Sequence, residues 1–421
     1  MRCYSHLGED DKDNVSDDIL QHHNRRFSIT LKQLVVAVFI IQGRSVPLGT
    51  PNFSMSEDEM PNAELPDEVI RDVLSRLSVK SLLQFRCVSK HWRDLIADTH
   101  FVKSHLKNVL ALSSHHQILV PTSPLLSLSY NASLDDINAS IELDCPFPKP
   151  RTSIKILGSC NGLVCLIDGT RDMIIYNPST RRHFKPYQSP QQVLHCSNRI
   201  EFVYGFGCGS NPNDMRVVRF PRFARDSEYI KFKVCGVGSG SRVSGVVAYN
   251  YDFIDTVGTF LNGSLHWLAH HSSNDDENRV IASFNISEET FRDLSLPPQE
   301  GSLPYYISGV LGGCLSALCD DMYYTDVDVW LMKEYGVVNS WTKFIKIPLN
   351  TGIENISYMM PLSSLNDDEI LLEIDLQSFV VYNVKKKTFR HVTVAHDLKW
   401  FGDAAIYVES LLSPEVLCVL Y

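Results

Sequence analysis

Apolar residues at positions 69, 70, 73, 74 and 77 form one stripe on a helix that starts near Pro66, where a missing N–H costs nothing in the first turn. Asp67 and Glu68 complement the positive end of that helix. Ser78 is suited to cap a second short helix carrying Leu82, Leu83, Phe85 and Cys87. A third follows Ser89 and bears Trp92, Leu95 and Ile96. Three short helices in about 40 residues cannot bury all these faces by themselves. The leftover apolar surface calls for a partner or for packing on the rest of the chain.

Beyond residue 110 the pattern changes. Short runs of Val, Ile, Tyr and Phe alternate with Gly, Asn, Pro and Ser, which predicts an all-β domain. The runs repeat. Ile174-Ile175-Tyr176-Asn177-Pro178-Ser179-Thr180 with Phe184 matches Ala282-Ser283-Phe284-Asn285-Ile286-Ser287 with Phe291, and again Val380-Val381-Tyr382-Asn383-Val384 with Phe389. Trp341 takes the aromatic place in a further unit. The aromatics at 184, 291, 341 and 389 are separated by about one or two periods of ~50 residues, the length of a kelch-type propeller blade. Asn161-Gly162 and Asn262-Gly263, each leading into an apolar run, predict tight hairpins, since both turn residues need positive φ. About six units fit, with the apolar end Val416–Tyr421 expected to close the ring.

A chain of 421 residues requires more than one domain, and 44% hydrophobic with 21% charged residues is an ordinary globular composition. The net charge of -10, with no basic run, argues against a nucleic-acid surface. The 11 cysteines never fall as Cys-x-x-Cys, so reduced thiols in the cytoplasm or nucleus are expected, without a disulfide framework or structural zinc. Residues 1–60 read as a disordered or loosely docked extension. Their apolar run Leu34–Ile41 is too short to span a membrane, which takes ~20 residues, and it sits too far behind acidic residues to serve as a signal peptide. Met55 and Met60 stand just before the first domain, so the upstream stretch is expected to be dispensable and is compatible with a misassigned start.

The string Leu65-Pro66-Asp67-Glu68, Ser75-Arg76-Leu77, Val79-Lys80-Ser81-Leu82-Leu83, Phe85-Arg86-Cys87-Val88-Ser89-Lys90, Trp92 and Phe101-Val102-Lys103 resembles a plant F-box. Ser78 departs from the proline usual there. The β region resembles the plant F-box-associated domain. The resemblance rests on Gly158-Ser159-Cys160-Asn161-Gly162-Leu163, Tyr176-Asn177-Pro178-Ser179-Thr180-Arg181, Tyr204-Gly205-Phe206-Gly207, Asn262-Gly263-Ser264-Leu265-His266-Trp267, Trp330-Leu331-Met332-Lys333-Glu334-Tyr335-Gly336 and Tyr407-Val408-Glu409-Ser410-Leu411. The group it most resembles is the F-box/kelch-repeat group that restrains defence signalling.

The resemblance implies an α+β multidomain chain: an extension (1–60), a three-helix F-box (61–108) and an all-β propeller-like domain (115–421). It implies a non-catalytic substrate receptor of an SCF-type ubiquitin ligase, with a Skp-type adaptor and a cullin scaffold as partners and no cofactor. The adaptor face would comprise Leu65, Pro66, Ile70, Leu74, Leu82, Val88 and Trp92. The third unit departs from the family: Val234-Cys235-Gly236-Val237-Gly238-Ser239-Gly240 lacks the usual aromatic, which puts its packing in question. The divergent stretch 220–255 supplies the candidate substrate contacts Phe223, Arg225 and Tyr229, with Arg222, Tyr249 and Tyr251 nearby, against the alternative of a degenerate blade.

Other chemistry weighs less. Neighbouring strand residues face opposite ways, so His115-His116 and His270-His271 cannot chelate as pairs and are expected at the surface or in loops. Cys160, Cys165, Cys314 and Cys319 recur with the blade and are expected to be buried structural thiols. Gly236–Gly240 lacks both the spacing and the following helix of a phosphate loop. The rival functions are a glycan-binding F-box receptor and, further off, a copper oxidase on a kelch propeller.

Overall fold

The computed structural model describes residues 67–87, 90–110, 115–129, 140–147, 154–169, 172–185, 201–210, 214–223, 230–236, 242–247, 251–271, 279–298, 305–320, 326–349, 356, 358–366, 368–392 and 403–415. The apolar run at 34–41, the expected extension and the end Val416–Tyr421 lie outside them. The described residues fall into two compact units. One holds the helical residues up to Leu77 with Ser81–Asp98; the other holds Ser78–Lys80 and everything from Thr99 on.

In the helical unit, α1 (Asp67–Leu74), α2 (Val79–Phe85) and α3 (Lys90–Ala97) appear where the apolar stripes predict them. Ile70, Leu74, Leu82, Phe85, Trp92, Leu95 and Ile96 are buried, each worth ~1.5–3 kcal/mol against exposure. Phe85 and Trp92 meet edge to face at 5.1 Å. A fourth helix, α4 (Thr99–Leu110), was not anticipated. Its Phe101, Leu106 and Val109 are buried, and it groups with the β domain.

Among the described residues the β domain is built of six sheets. Blade 1 contains β1 (His116–Val120), β2 (Leu125–Ser129) and β3 (Ser140–Leu143); blade 2 contains β4 (Lys155–Cys160), β5 (Leu163–Ile167), β6 (Met173–Asn177) and β7 (Arg182–Phe184). Blade 3 runs β8 (Phe202–Cys208), β9 (Met215–Pro221), β10 (Ile230–Gly236) and β11 (Arg242–Val247). Blade 4 has β12 (Tyr251–Phe253), β13 (Thr259–Leu261), β14 (Ser264–His271), β15 (Arg279–Asn285) and β16 (Thr290–Leu294). Blade 5 has β17 (Tyr305–Leu311), β18 (Cys314–Asp320), β19 (Asp326–Met332) and β20 (Trp341–Pro348); blade 6 has β21 (Met359–Asn366), β22 (Glu369–Ile374), β23 (Ser378–Asn383) and β24 (Thr388–His391). The last strand, β25 (Ala405–Val408), pairs antiparallel with β1 and completes blade 1. Residues 405–408 therefore close the ring; the C-terminal end expected to do so lies outside the described residues.

Closure is also visible in the core. Six apolar clusters lie one at each junction of successive blades, the last joining blade 6 to blade 1 through Leu371, Phe379 and Val381 against Ile118, Val120 and Leu126. A sheet that buries both faces between neighbours, with no unpartnered end in the ring, is the propeller solution to the edge problem.

The local turns follow from sequence. Asn161-Gly162 (φ 51° and 79°) and Asn262-Gly263 (50° and 74°) make two-residue hairpins, joined by Gly312-Gly313 (58° and 76°). In the outer hairpins the Oδ1 of Asn177 accepts the N–H groups of Ser179 and Thr180, and that of Asn285 accepts those of Ser287 and Glu288. This is the Asx turn behind the repeated Asn. Tyr382 stands opposite Phe389 and Phe284 opposite Phe291, but Tyr176 stands opposite His183. Phe184 is thus one residue out of step with the other aromatics and sits opposite Ile175. A one-residue shift turns a side chain to the other face of the sheet.

Blade 3, in question from its missing aromatic, pairs fully from Ile230↔Val247 to Cys235↔Arg242. Its inner strands bury Val203, Phe206, Val217, Val218 and Phe220. The loop 237–240 lies outside the described residues.

Candidate functional site

Of the seven residues assigned to the adaptor face, Ile70, Leu74, Leu82 and Trp92 are buried in the free chain, where they form the core of the helical unit. Leu65, Pro66 and Val88 lie outside the described residues. On α1 the apolar side chain presented outward is Val69, 41% exposed. Charged pairs frame the same unit: Arg71 with Asp98 at 3.4 Å, and His91 with Asp67 at 3.1 Å.

Among the candidate substrate contacts, Phe223 is 40% exposed at the end of the β9 hairpin, while Arg225 and Tyr229 lie outside the described residues. Arg222 is not free to recognise a ligand. It donates to the carbonyls of Phe253 and Ile254 and to Glu201 at 2.7 Å, and its guanidinium lies 5.4 Å from the Phe223 ring. Tyr251, named with this stretch, is a buried core residue whose hydroxyl donates to Asp293.

A second surface went unread from sequence. Of the eight exposed large apolar side chains among the described residues, Tyr335, Val337, Val338 and Phe344 share the single hairpin from β19 to β20. The signal was present in Tyr335-Gly336-Val337-Val338, two adjacent valines in a turn where polar residues are the rule. The hairpin is anchored from below. Tyr335 Oη lies 2.7 Å from His266 Nε2, and His266 Nδ1 lies 2.9 Å from the carbonyl of Thr259. Burial pushes His266 down to about 4, so the ring is neutral at physiological pH. Nδ1–H donates to the carbonyl, and Nε2 accepts from the tyrosine O–H.

The two surfaces occupy opposite faces of the ring. Successive antiparallel strands reverse direction, so turns from strand three to four lie at the other end of each blade from turns between strands two and three. Tyr335 belongs to the former kind and Phe223 to the latter.

Asp255 of blade 4, Glu373 on β22 and Asp403, which leads into β25, come together. Asp255 Oδ2 accepts Leu268 N–H at 2.7 Å, Glu373 accepts Ala404 N–H at 3.2 Å, and Tyr358 O–H donates to Asp403 at 3.0 Å. Burial pushes Asp255 up to about 7 and Glu373 up to about 8, the latter helped by the charge of Asp403; burial also raises Tyr358. Among the described residues, no three His, Cys, Asp or Glu side chains are grouped to hold a metal ion, and no helix is long and apolar enough to cross a membrane.

Of the histidine pairs expected at the surface or in loops, His115 is instead buried, with Nδ1 3.4 Å from Glu409 Oε2, while His116, His270 and His271 are partly exposed strand residues, and His271 Nε2 meets Asp293 at 3.0 Å. Cys160, Cys165 and Cys319 are buried as read from the repeat, and Cys314 is half-buried.

Short helices at the N-terminal end followed by a propeller define the class of protein, a helical module with a β-propeller domain. The F-box domain family matches residues 63–104, and the F-box associated beta propeller domain family matches residues 116–414. The chain belongs to the plant F-box proteins with an F-box-associated propeller. It is 30% identical over 349 residues to F-box protein CPR1 of Arabidopsis thaliana, covering 77% of this chain and 83% of that one. An F-box/kelch-repeat protein of the same plant is 28% identical over 371 residues, covering 84% of this chain and 96% of the relative. A chain in a solved nidogen/laminin complex superposes with a TM-score of 0.43 at 10% identity, covering 70% of this chain and 99% of that one.

Proposed function

We propose that this protein is the substrate-recognition subunit of an SCF-type ubiquitin ligase. The F-box binds a Skp-type adaptor, and through it a cullin scaffold, while the propeller holds a target protein for ubiquitination and proteasomal degradation. The observation that supports this reading is the presence of both modules, at 63–104 and 116–414, in one chain. Such a subunit needs no catalytic residue. Tethering a target beside a charged ubiquitin carrier raises its effective concentration, which is how intramolecular reactions gain rate. The reading places the protein in the cytoplasm or nucleus, and the likeness to the defence-restraining group points to a target in defence signalling.

The test is co-purification with a recombinant Skp-type adaptor. Leu65→Ala with Pro66→Ala is expected to abolish adaptor capture while the propeller melts as in the parent. Undiminished capture overturns the assignment. If adaptor binding holds but a glycan array, not a protein pull-down, yields the ligand, the receptor is one for glycans.

A further inference from the structure

Cys160 and Cys208 end β4 and β8, neighbouring inner strands of blades 2 and 3, and are 48 residues apart in sequence. Their sulfurs nevertheless lie 3.2 Å apart, Cys160 S–H donating to Cys208 Sγ. Asn161 Nδ2 donates to the same Cys208 sulfur from 3.7 Å. Two donors thus converge on one sulfur at the rim of the apolar cluster between the blades, formed by Leu157, Leu163, Phe206 and Met215 among others. Simple filling of a core would be met equally by two small hydrophobes. A pair of thiols in contact, with a polar donor aimed at one of them, supplies the parts of a redox centre.

We propose that Cys160 and Cys208 form a reversible dithiol–disulfide pair, closed by a peroxide, that staples blade 2 to blade 3. The roles follow from the environment. The hydrogen bond from Cys160 is the largest influence lowering the Cys208 thiol below its ordinary range; burial opposes it, and Asn161 adds a second lowering hydrogen bond. The same contact and burial push Cys160 well up, which keeps its proton. Cys208 is therefore the thiol that loses its proton more readily and attacks, and Cys160 is the resolving thiol. Cys208 retains 8% of its surface, Cys160 5%.

In the first step Cys208 thiolate attacks hydrogen peroxide: the O–O bond breaks, an S–O bond forms, and the released hydroxide takes a proton to leave as water. The sulfur is oxidised to a sulfenic acid. In the second step the Cys160 sulfur attacks that sulfenic acid; the S–S bond forms, and the hydroxyl departs with the Cys160 proton as a second water. A disulfide places the sulfurs about 2.0 Å apart, so they need approach by only about 1 Å. Both residues stand at strand ends beside turns. The staple would fasten two blades that are otherwise held by side-chain packing, two residues from Gly162, against which the closing segment rests. In a reducing compartment the pair stays open, and an oxidative burst closes it.

The experiment uses the full-length protein, reduced, desalted and exposed to a small molar excess of hydrogen peroxide. Remaining thiols are alkylated under denaturing conditions and the digest is read by mass spectrometry. A peptide pair joining Cys160 to Cys208 is expected as the main cross-link, reversed by dithiothreitol. It should fall at least tenfold when the chain is unfolded in guanidinium before oxidation. The oxidised protein should melt several degrees higher and return on reduction. Alkylation of both thiols after peroxide overturns the proposal. So does a Cys160–Cys208 link no more frequent in the folded than in the unfolded chain, or sulfinic acid on Cys208 without a link. All these readouts use the parent sequence, so none depends on whether a variant folds.

Discussion

The ring of His266 in blade 4 and the hydroxyl of Tyr335 in blade 5 are joined by a 2.7 Å hydrogen bond, with the tyrosine donating to a buried, neutral imidazole. The two residues come from separate sequence motifs, Asn262–Trp267 and Trp330–Gly336. One bond serves a histidine in the otherwise apolar strand β14 and a tyrosine in the turn after β19. It fixes the tautomer of the histidine and holds the exposed hairpin of Val337 and Val338 at a set height above blade 4.

Tyr335→Phe removes the donor and leaves Nε2 of a buried imidazole unsatisfied. The expected loss is about 1–2 kcal/mol of propeller stability, read as a lower urea midpoint at unchanged slope. Ser283 stands 3.4 Å from the same hydroxyl, so Ser283→Ala should cost less than half as much. Equal losses from the two variants would show that the His266 contact is not the anchor.

Closure of the ring gives a second prediction. Asn177, fully buried, donates through Nδ2 to the carbonyls of Ser410 at 2.9 Å and Leu412 at 2.7 Å, tying the segment after β25 onto blade 2. A Cβ on Gly162 would meet Ser410 Cβ at 2.2 Å and Val408 O at 2.6 Å, whereas one on Gly263 would meet nothing within 4 Å. The two glycines have nearly the same φ, 79° and 74°. Alanine at either pays about 1 kcal/mol or more of backbone strain, and the Gly162 variant adds the clash, a further ~1–3 kcal/mol. Gly162→Ala should therefore melt well below Gly263→Ala and release its C-terminal segment to protease sooner. Indistinguishable melting would rule out the latch.

Much of this is legible in the sequence. The helical stripes of Ile70, Leu74 and Leu82, the Asn-Gly hairpins and the repeated Asx turns are local, and local chemistry is written in adjacent residues. What escaped depends on contacts distant in sequence. The 405–408 strand closes the ring because Gly162 leaves room for Val408 and Ser410, a fit that no periodicity encodes. Gly205 and Gly207 are likewise explained by blade 4: a Cβ there would strike Leu265 at 2.6 Å and Phe260 at 2.2 Å. His115 looked like a surface residue because its partner, Glu409, is 294 positions away. Phe184 misled because a one-residue offset in an outer strand barely disturbs a repeat yet reverses the face.

Stability should fall with rising pH through the neutral range. Asp255 and Glu373 have folded pKa values raised to about 7 and about 8, so the folded state keeps protons that the unfolded chain has lost. Their contribution is full below the ordinary carboxylate range and is gone above about pH 8. Arg222 and the N–H groups of Leu268 and Ala404 oppose these shifts, while Asp403 reinforces them. His266, held down to about 4, acts with the opposite sign below pH 6.5 and drops out above it. The clean window is therefore pH 6.5–8, where the melting temperature should decline. Asp255→Asn with Glu373→Gln should flatten that decline relative to the parent. An unchanged slope in the double variant would show that neither acid is protonated in the fold.

The last prediction concerns which face of the propeller holds the target. The β9–β10 side offers Phe223, but its neighbour Arg222 is spent on backbone carbonyls and Glu201. The opposite face offers Tyr335, Val337, Val338 and Phe344 on one anchored hairpin. Clustered apolar groups on a fixed support lose little entropy on binding and exclude water together, the conditions under which a few residues carry most of an interface. Val337→Ser with Val338→Ser alters exposed turn positions and should shift stability by no more than about 0.5 kcal/mol. Affinity purification under proteasome inhibition should then recover the target at least fivefold less well, with adaptor capture unchanged. Phe223→Ala with Arg225→Ala and Tyr229→Ala should leave target recovery near the parent level. The reverse pattern would move the recognition surface to the divergent β9–β10 side. Loss of the target in both variants, with both still folded, would mean that it reaches across the ring and is held from both faces.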